Sequence, residues 1–295
     1  MFTAIVIGAL SASALIQQTD TIVDANGATR LDLENFRGEV VVRSWDRDAV
    51  QVQADHPRGR YVDIQHHGST IEIEVEAERG MGLTGTVDFH ITVPRDMDIS
   101  IEGMAIEVDV EGAGGEVDIN TIHGSIHLVG GRGNINLESV NGSLTVDGAQ
   151  GDLELTGVSG GIHLRNCTGD IMVEAVGGSI IMEDIRSGDI EAGTVGGTLR
   201  FEGEIQDGGI YTFGTHGGQI WLYLPADMNA RVEAVTLAGG MEVDFPGAPE
   251  EPTRNRGIPG LSEKEISFQV GTGSARIEVE TFGGTIQILR AGGGR

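Results

Sequence analysis

Aromatic side chains and cysteine are scarce in this chain of 295 residues. Phe, Trp and Tyr together make up 4% of the sequence, and Cys167 is the single cysteine. Because aromatic side chains usually supply much of a compact core, this chain must bury mainly small aliphatic residues. One cysteine cannot form an intramolecular disulfide, so no disulfide framework stabilises the fold.

Basic residues are also few. The chain has 19 Lys and Arg against 45 Asp and Glu, which gives a formal net charge of −26. A surface of this sign repels DNA, RNA and anionic lipid headgroups. The composition therefore argues against a nucleic-acid partner and favours cations or basic partners.

Charge is absent from the first eighteen residues. Within them, Ala12-Ser13-Ala14 fits the small-x-small pattern of a cleavage site. This segment is too short to span a bilayer as a helix, and no other segment is apolar enough to do so. We therefore predict a signal peptide over residues 1–14, despite the missing basic n-region, and an extracytoplasmic mature chain (periplasm, cell envelope or secreted). The alternative is a first β-strand or a frayed terminus.

Glycine, by contrast, is abundant and regularly placed. Among 47 glycines, one series recurs every nine residues, at Gly115, Gly124, Gly133, Gly142, Gly151, Gly160, Gly169 and Gly178. The second and fourth residues after each glycine are apolar, whereas the first and third are mostly polar. This alternation predicts short strands with one buried face.

The nine-residue units alternate in kind, so the true repeat is eighteen residues. Glu, Asp or Asn follows every second glycine, whereas Ser, Thr or Gly follows the others. A strand stacked on its copy one coil away lies about 4.8 Å off and pairs with it in parallel. We therefore predict an all-β, single-domain, β-helix-like β-solenoid with 18-residue coils of two nine-residue arms. Two inner ladders are expected: Val117, Ile135, Leu153, Ile171 and Ile190, and Ile126, Leu144, Ile162, Ile180 and Leu199.

Two further expectations concern the turns. The glycines are expected to reverse the chain by adopting positive φ at little steric cost. A third apolar residue, seven positions after the glycine in many units, is expected to point inward: Ile122, Val140, Val158, Cys167, Val176, Ile185 and Val195.

The flanks of the repeat are β-patterned but irregular. We predict an N-terminal β-cap region over residues 20–98, the solenoid core over 99–224, and C-terminal coils over 225–295. The Pro- and Gly-rich stretch 246–263 is predicted to be a surface loop. Because residues 281–286 repeat the form of residues 194–199, the solenoid is expected to resume and close near the C-terminus.

The sharpest candidate site is a column at the start of one arm: Glu116, Asn134, Asp152, Asp170 and Asp189. Like charges about 4.8 Å apart repel by roughly 1 kcal/mol in water. A Ca²⁺ ion, which takes about six to eight oxygen ligands, would remove that cost. The other interpretation is that Asp and Asn after Gly satisfy turn amides, so the column is a weak calcium candidate.

Histidine and cysteine offer no metal or redox site in this pattern. His127 and His163, with Thr145 between them, are two coils apart, roughly 9–10 Å. One metal ion cannot join them directly. His66 and His67 adjoin on a strand and point to opposite faces. Cys167 is predicted to be a buried, inert thiol.

Catalytic machinery is not recognisable. Asp118, Asn136, Glu154 and Glu191 form an outward column like the carboxylate clusters of polysaccharide-active enzymes, but the turns are too short to build cleft walls. A Ser-His-Asp elbow, P-loop, Cys-x-x-Cys pair and His-Glu-x-x-His motif are all missing. We therefore predict no catalytic residue and no cofactor.

Three sets of residues together resemble the bacterial "putative adhesin" domain of unknown function. They are Gly38-x-Val-x-Val-x-x-Trp-Asp-Arg-Asp-x-Val-x-Val-x-Ala54, the Val93-Pro94 step, and recurrent Thr/Ser-Val-x-Gly-Ser-Ile units. The resemblance covers nearly the whole mature chain. It implies a secreted or cell-envelope β-solenoid and offers no catalytic residues to carry over.

These observations leave several functions open. We expect a non-catalytic, extracytoplasmic, adhesin-like binding or structural protein whose β-faces meet a surface, glycan or protein ligand. The first alternative is a self-assembling cell-envelope scaffold joined end to end. A polysaccharide-active or Ca²⁺-dependent glycan-binding solenoid is a further, less favoured alternative.

The exported protein is expected to begin at Leu15, because Ala14 ends the predicted cleavage site. Intact mass spectrometry of the protein recovered outside the cytoplasm measures this end directly. The double substitution Ala12→Leu and Ala14→Leu should leave the segment attached. Exported wild-type protein that still carries Met1 would contradict the prediction.

Overall fold

The computed structural model of the protein describes residues 17–78, 85–249, 254–258 and 261–292. The predicted signal peptide, residues 1–14, lies outside these ranges. Within them the chain forms 23 β-strands joined in one hydrogen-bonded sheet, with no helix. The described part therefore has no helix that is long and apolar enough to cross a membrane.

The strands fall into three groups along the chain. The N-terminal group is β1 (Gln17–Asp24), β2 (Arg30–Trp45), β3 (Ala49–His56), β4 (Arg60–His67), β5 (Thr70–Ala77) and β6 (Asp88–Pro94). The central group is β7 (Asp98–Glu111), β8 (Val117–His123), β9 (Ile126–Val129), β10 (Arg132–Asn141), β11 (Leu144–Asp147), β12 (Gln150–Gly157), β13 (Ile162–Arg165), β14 (Ile171–Ala175), β15 (Ile180–Thr194), β16 (Leu199–Thr215) and β17 (Ile220–Leu224). The C-terminal group is β18 (Ala230–Thr236), β19 (Gly240–Asp244), β20 (Arg254–Ile258), β21 (Leu261–Val270), β22 (Ala275–Thr281) and β23 (Thr285–Arg290).

Residues eighteen apart in the central group are in-register neighbours. In the arm that starts after Gly115 and its equivalents, called arm A, Ile135 pairs in parallel with Val117 and Leu153. In the arm that starts after Gly124, called arm B, Leu144 lies between Ile126 and Ile162 in the same way. The predicted β-solenoid of two-armed, 18-residue coils is confirmed.

The two predicted ladders form the core. Every residue of both ladders is at most 3% exposed, so each coil removes aliphatic surface from water. Towards the C-terminal end the same interior holds Phe201, Tyr211 and Phe213, and the rings of Phe201 and Phe213 lie 5.1 Å apart. The scarce aromatic residues are therefore partly concentrated in the last coils.

The coils begin before residue 99. β2 pairs in parallel with β7 from Arg30 and Asp98 to Arg43 and Glu111, and on its other side it pairs in parallel with β5 and β6. Residues 20–98 therefore supply coils as well as a cap. The nine-residue pattern missed them because β3 to β6 are inserted between β2 and β7, which separates in-register partners by 68 positions.

The C-terminal coil is out of chain order. β22 and β23 pair directly with β16 and β17, and β18 and β19 lie on their outer side. The solenoid does resume near the C-terminus, as expected. The last coil, however, is inserted between two earlier coils and does not close the end.

Antiparallel strands cover the coil ends. At one end β4 pairs with β5 and β3 pairs with β6, while at the other end β21 pairs with β18 and β20 with β21. The surface loop predicted over 246–263 is wrong for the described residues from 254 onward, because β20 and the start of β21 form a hairpin there. This pairing occupies backbone groups that an open coil edge would expose.

Close stacking explains the glycines that follow arm A. Gly142, Gly160 and Gly178 do not have positive φ, so turn reversal is not their reason. A Cβ on Gly160 would overlap the carbonyl oxygen of Gly142 in the coil below. The expected positive φ occurs instead mainly in the turn that follows arm B, at Gly133, Gly151 and Gly169.

Gly160→Ala is expected to destabilise the protein by about 1–3 kcal/mol, since the added methyl group forces two stacked turns apart. Urea unfolding followed by circular dichroism measures the loss. Gly161→Ala is the matched control, because its Cβ would meet only the Ser179 oxygen at 3.5 Å and should change stability by less than about 0.5 kcal/mol. Equal losses in the two variants would refute the stacking explanation.

An apolar ridge beside an acidic column as the candidate functional site

A buried hydroxyl side chain holds several of the turns that follow arm A, whereas Gly157 and Ala175 take the same inner position in two others. The Thr194 hydroxyl donates to the Gly178 carbonyl in the coil below at 3.0 Å and accepts from the Gly197 N–H at 3.3 Å. The same acceptance from a glycine N–H recurs at Thr215, Thr236 and Thr281. Since this position points inward in all of these turns, the residue after it faces outward.

The turn therefore exposes an apolar residue that was expected to point inward. Val176 and Val195 are 51% and 52% exposed, and Ile122, Val140 and Val158 are also exposed. The prediction is wrong for these five positions and right for Cys167 and Ile185, which are fully buried. The difference arises because those two lie in the other turn, after arm B.

These outward residues stack into one apolar ridge along the solenoid axis. The Gly177 N–H donates to the Val158 carbonyl at 2.8 Å, and the Gly196 N–H donates to the Val176 carbonyl at 2.9 Å, so successive turns are locked together. Ten rungs at about 4.8 Å give a ridge roughly 43 Å long. In spatial order, the apolar ridge consists of Phe36, Met104, Ile122, Val140, Val158, Val176, Val195, His216, Phe282 and Leu237.

An acidic column runs along arm A beside this ridge. Register places Glu34 between Glu74 and Glu102, and places Glu138 two rungs further on. In order, the acidic column consists of Glu74, Glu34, Glu102, Asn120, Glu138, Thr156 and Glu174. A groove of about 600 Å³ lies between the column and the first part of the ridge, and no Lys or Arg is among its described lining residues.

The carboxylates of this column crowd one another. Partial desolvation, followed by the nearby charges of Glu72 and Glu34, raises the pKa of the Glu74 carboxyl above its usual range. Crowding of this kind costs stability while the groups are ionised, and a cationic partner would relieve it. The negative charge along the groove therefore favours binding of a positively charged partner.

The outer face of arm A is mostly acidic, and its few cations lie at the start of the strands, where Arg30 pairs with Asp32. From Asp98 to Glu191, the exposed cations of its strands are Arg132 and Arg186, and Arg186 lies 3.0 Å from Glu204. The carboxylates are Asp98, Glu102, Glu116, Asp118, Glu138, Asp152, Glu154, Asp170, Glu174, Asp189 and Glu191.

On the outer face of arm B, by contrast, acidic and basic side chains form ion pairs with one another. Arg200 Nη1 lies 2.9 Å from Glu183 Oε1, and Arg43 Nη1 lies 2.5 Å from Asp109 Oδ1. Hydrogen bonds from Arg165 and Asn166 hold the pKa of Asp147 below its usual range. A basic partner would have to displace these ion pairs, so arm A is the face available to it.

The predicted calcium column is stacked on arm A as expected. Glu116, Asn134, Asp152, Asp170 and Asp189 are all exposed and lie one above another. In the part of the chain that the structure describes, however, no group of three His, Cys, Asp or Glu side chains could hold a metal ion. Calcium binding by the column stays a prediction.

The outward carboxylates considered for polysaccharide chemistry also lie on arm A. Asn136, Glu154 and Glu191 line a shallow groove of about 520 Å³ together with Met172, and Asp118 is the next rung. Met172 interrupts the column, and no described cationic side chain lines the groove.

The histidines and the cysteine lie where the spacing placed them. Thr145 separates His127 from His163, and each ring contacts a carboxylate, Asp109 at 2.9 Å and Glu183 at 3.3 Å respectively. His66 and His67 are exposed. Burial raises the pKa of the Cys167 thiol.

The sequence contains a signal for the ridge that the nine-residue repeat hides. The residue before the apolar one is Thr, Ser, Gly or Ala in the repeat's turns after arm A, as in Thr194–Val195, but Gly, Asn or Asp with positive φ after arm B, as in Asn166–Cys167. The equivalent positions after arm B hold Gly131, Ala149, Cys167 and Ile185, which are buried. Treating the two arms separately would have distinguished the outward series from the inward one.

The fold and this surface define a class of protein: a two-armed β-solenoid whose turns stack a ridge of aliphatic side chains. The chain belongs to the Toastrack DUF4097 family, whose model matches residues 28–289. This match confirms the resemblance to a bacterial domain of unknown function.

Two solved structures are similar over most of their length. A putative cell adhesion protein from Clostridium sporogenes ATCC 15579 is 12% identical with a TM-score of 0.24, over 93% of this chain and 99% of that one. A putative adhesin from Parabacteroides distasonis ATCC 8503 is 8% identical with a TM-score of 0.46, over 92% and 97% respectively. No curated protein matches the chain.

Glu74→Gln is expected to raise the urea midpoint at pH 7, because it removes a carboxylate whose pKa is raised in the folded state. The folded-state penalty is present when Glu74 is ionised in both states and disappears below its unfolded pKa. The gain should therefore shrink between pH 7 and about pH 4. An equal gain at both pH values would contradict the assignment.

Proposed function

We propose that this protein is a non-catalytic, adhesin-like binding protein that works outside the cytoplasm. The observation that carries the proposal is the exposed apolar ridge on a rigid solenoid edge. Soluble proteins rarely leave a long, continuous apolar surface uncovered unless it binds something. Several of its residues are more than 40% exposed, among them Met104, Ile122 and Phe282.

The ridge suits recognition because its geometry is fixed before binding. Each rung is held by main-chain hydrogen bonds to the rungs above and below, with distances such as 2.9 Å from the Gly217 N–H to the Val195 carbonyl. A surface that is already ordered loses little conformational entropy when a partner docks. The glycines that let the turns approach so closely thus also support binding.

A protein ligand fits this surface better than a glycan. The ridge is mostly aliphatic, so it offers few hydrogen-bond donors or acceptors for sugar hydroxyls, and its one aromatic pair is His216 stacked on Phe282 at 4.9 Å. Polar groups are concentrated in the acidic column beside it. Protein interfaces commonly combine such an apolar centre with a charged rim.

The predicted signal peptide supports a place in the periplasm, at the cell envelope or outside the cell. The scaffold alternative is less favoured, because antiparallel strands cover the outer strands of arm A at both ends. Pairing of two ridges would also bring two acidic columns together, which the net charge of −26 makes costly.

Loss of the ridge is expected to impair attachment of the cells that produce the protein. In a deletion strain, the triple variant Val158→Ser, Val176→Ser and Val195→Ser should restore at least threefold fewer attached cells than the wild type. Attachment is counted on protein-coated polystyrene after washing, with surface abundance checked by immunoblot.

The matched control replaces exposed apolar residues away from the ridge. Ile22, Met172 and Ile210 are 58%, 42% and 53% exposed, and changing all three to Ser should restore attachment fully. A ridge variant that restores attachment as well as this control would refute the proposed function.

A further inference from the structure

We propose that the acidic column and the N-terminal half of the apolar ridge bind a basic amphipathic α-helix of a protein partner. This inference rests on the proposed binding function and names the chemistry of the ligand. The groove between the two features, lined by Glu34, Glu102, Glu138, Met104 and Val140, is the docking site.

Backbone pairing at the groove excludes binding by strand addition. β7 pairs with β2 and β8, β8 pairs with β7 and β10, and β10 pairs with β8 and β12. These strands therefore have no free edge in the region of the groove. A ligand that lies there must satisfy its own backbone hydrogen bonds, which an α-helix does.

The dimensions of the groove match a helix that lies along the solenoid axis. Six rungs, from Glu74 to Val158, span about 24 Å at 4.8 Å each. A helix of about 16 residues has this length, and its 5.4 Å pitch is close to the rung spacing. Apolar residues on successive helical turns can therefore meet successive ridge side chains.

The carboxylates beside the groove determine which charge the bound helix must carry on its sides. Glu34, Glu102 and Glu138 border one side of the ridge, and no described Lys or Arg lines the groove to compete for them. Lys or Arg beside the apolar stripe of the helix would pair with these carboxylates and relieve their crowding. A second copy of this chain presents the same acidic column, so it is excluded as the occupant by like charge.

The test uses a 16-residue synthetic helix with Leu on one face and Lys on its flanks, and a version with Glu in place of Lys. The only cysteine, Cys167, is buried, so an environment-sensitive dye can be attached selectively at Thr156→Cys in the groove. Thr145→Cys, on the opposite face, is the matched label. Titration with the Lys peptide should change the emission of the label at position 156 and not that of the label at position 145. The Glu peptide should change neither. Circular dichroism should show that the Lys peptide becomes helical when it binds.

Three charge-matched or shape-matched variants locate the site. Glu34→Gln, Glu102→Gln and Glu138→Gln together should weaken binding at least tenfold, as should Met104→Ser, Ile122→Ser and Val140→Ser together. Glu116→Gln, Asp152→Asn and Asp170→Asn remove the same charge from a column four residues before the acidic column along each strand, and should weaken binding less than threefold. Melting curves confirm that each variant is folded.

Two sets of outcomes would overturn the inference. If the variant with Glu116, Asp152 and Asp170 replaced weakens binding as much as the acidic-column variant, the attraction depends on overall charge and the groove is not a specific site. If the Lys peptide does not bind, or binds without becoming helical, a basic helix is not the ligand. In that case ridge-dependent cell attachment would still support the proposed function, so the two failures are distinguishable.

Discussion

Parallel, in-register stacking of coils at about 4.8 Å is the constraint on which the rest of this structure depends. It turns each position of the repeat into a column that runs the length of the solenoid. An inward apolar position becomes a core ladder, as for Ile135 and Leu153. An outward position becomes a continuous stripe of one chemistry on the surface.

Stacking also limits which residues can form the turns. The glycines after arm A approach so closely that a single methyl group on Gly160 has no space. In several of these turns a buried hydroxyl, as in Thr194, donates a hydrogen bond to the coil below. Because this hydroxyl, or Gly157 and Ala175 at the same position, points inward, the next side chain points outward, and stacking of the turns produces the apolar ridge.

In-register stacking also makes the distribution of charge on the two outer faces different. On arm B, cationic and anionic residues alternate between neighbouring coils, so Arg165 meets Asp147 and Arg200 meets Glu183. On arm A, carboxylates follow carboxylates, and the pKa of Glu74 is raised. The acidic face therefore has unsatisfied attraction for positive charge, and it borders the ridge.

The sequence by itself determined the β-solenoid, the eighteen-residue coil and both core ladders. Alternation of apolar and polar residues and a constant repeat length can both be read along the chain, without knowledge of contacts between distant segments. Only the tertiary structure decided the order of the end coils, since β2 and β7 meet across 68 positions and β22 enters between β16 and β18. Tertiary packing also decided that Val176 faces solvent while Cys167 is buried. Both positions follow their glycine by seven residues, but the two turns differ in backbone conformation: Asn166 before Cys167 has a φ of 54°, whereas Ala175 before Val176 does not have positive φ.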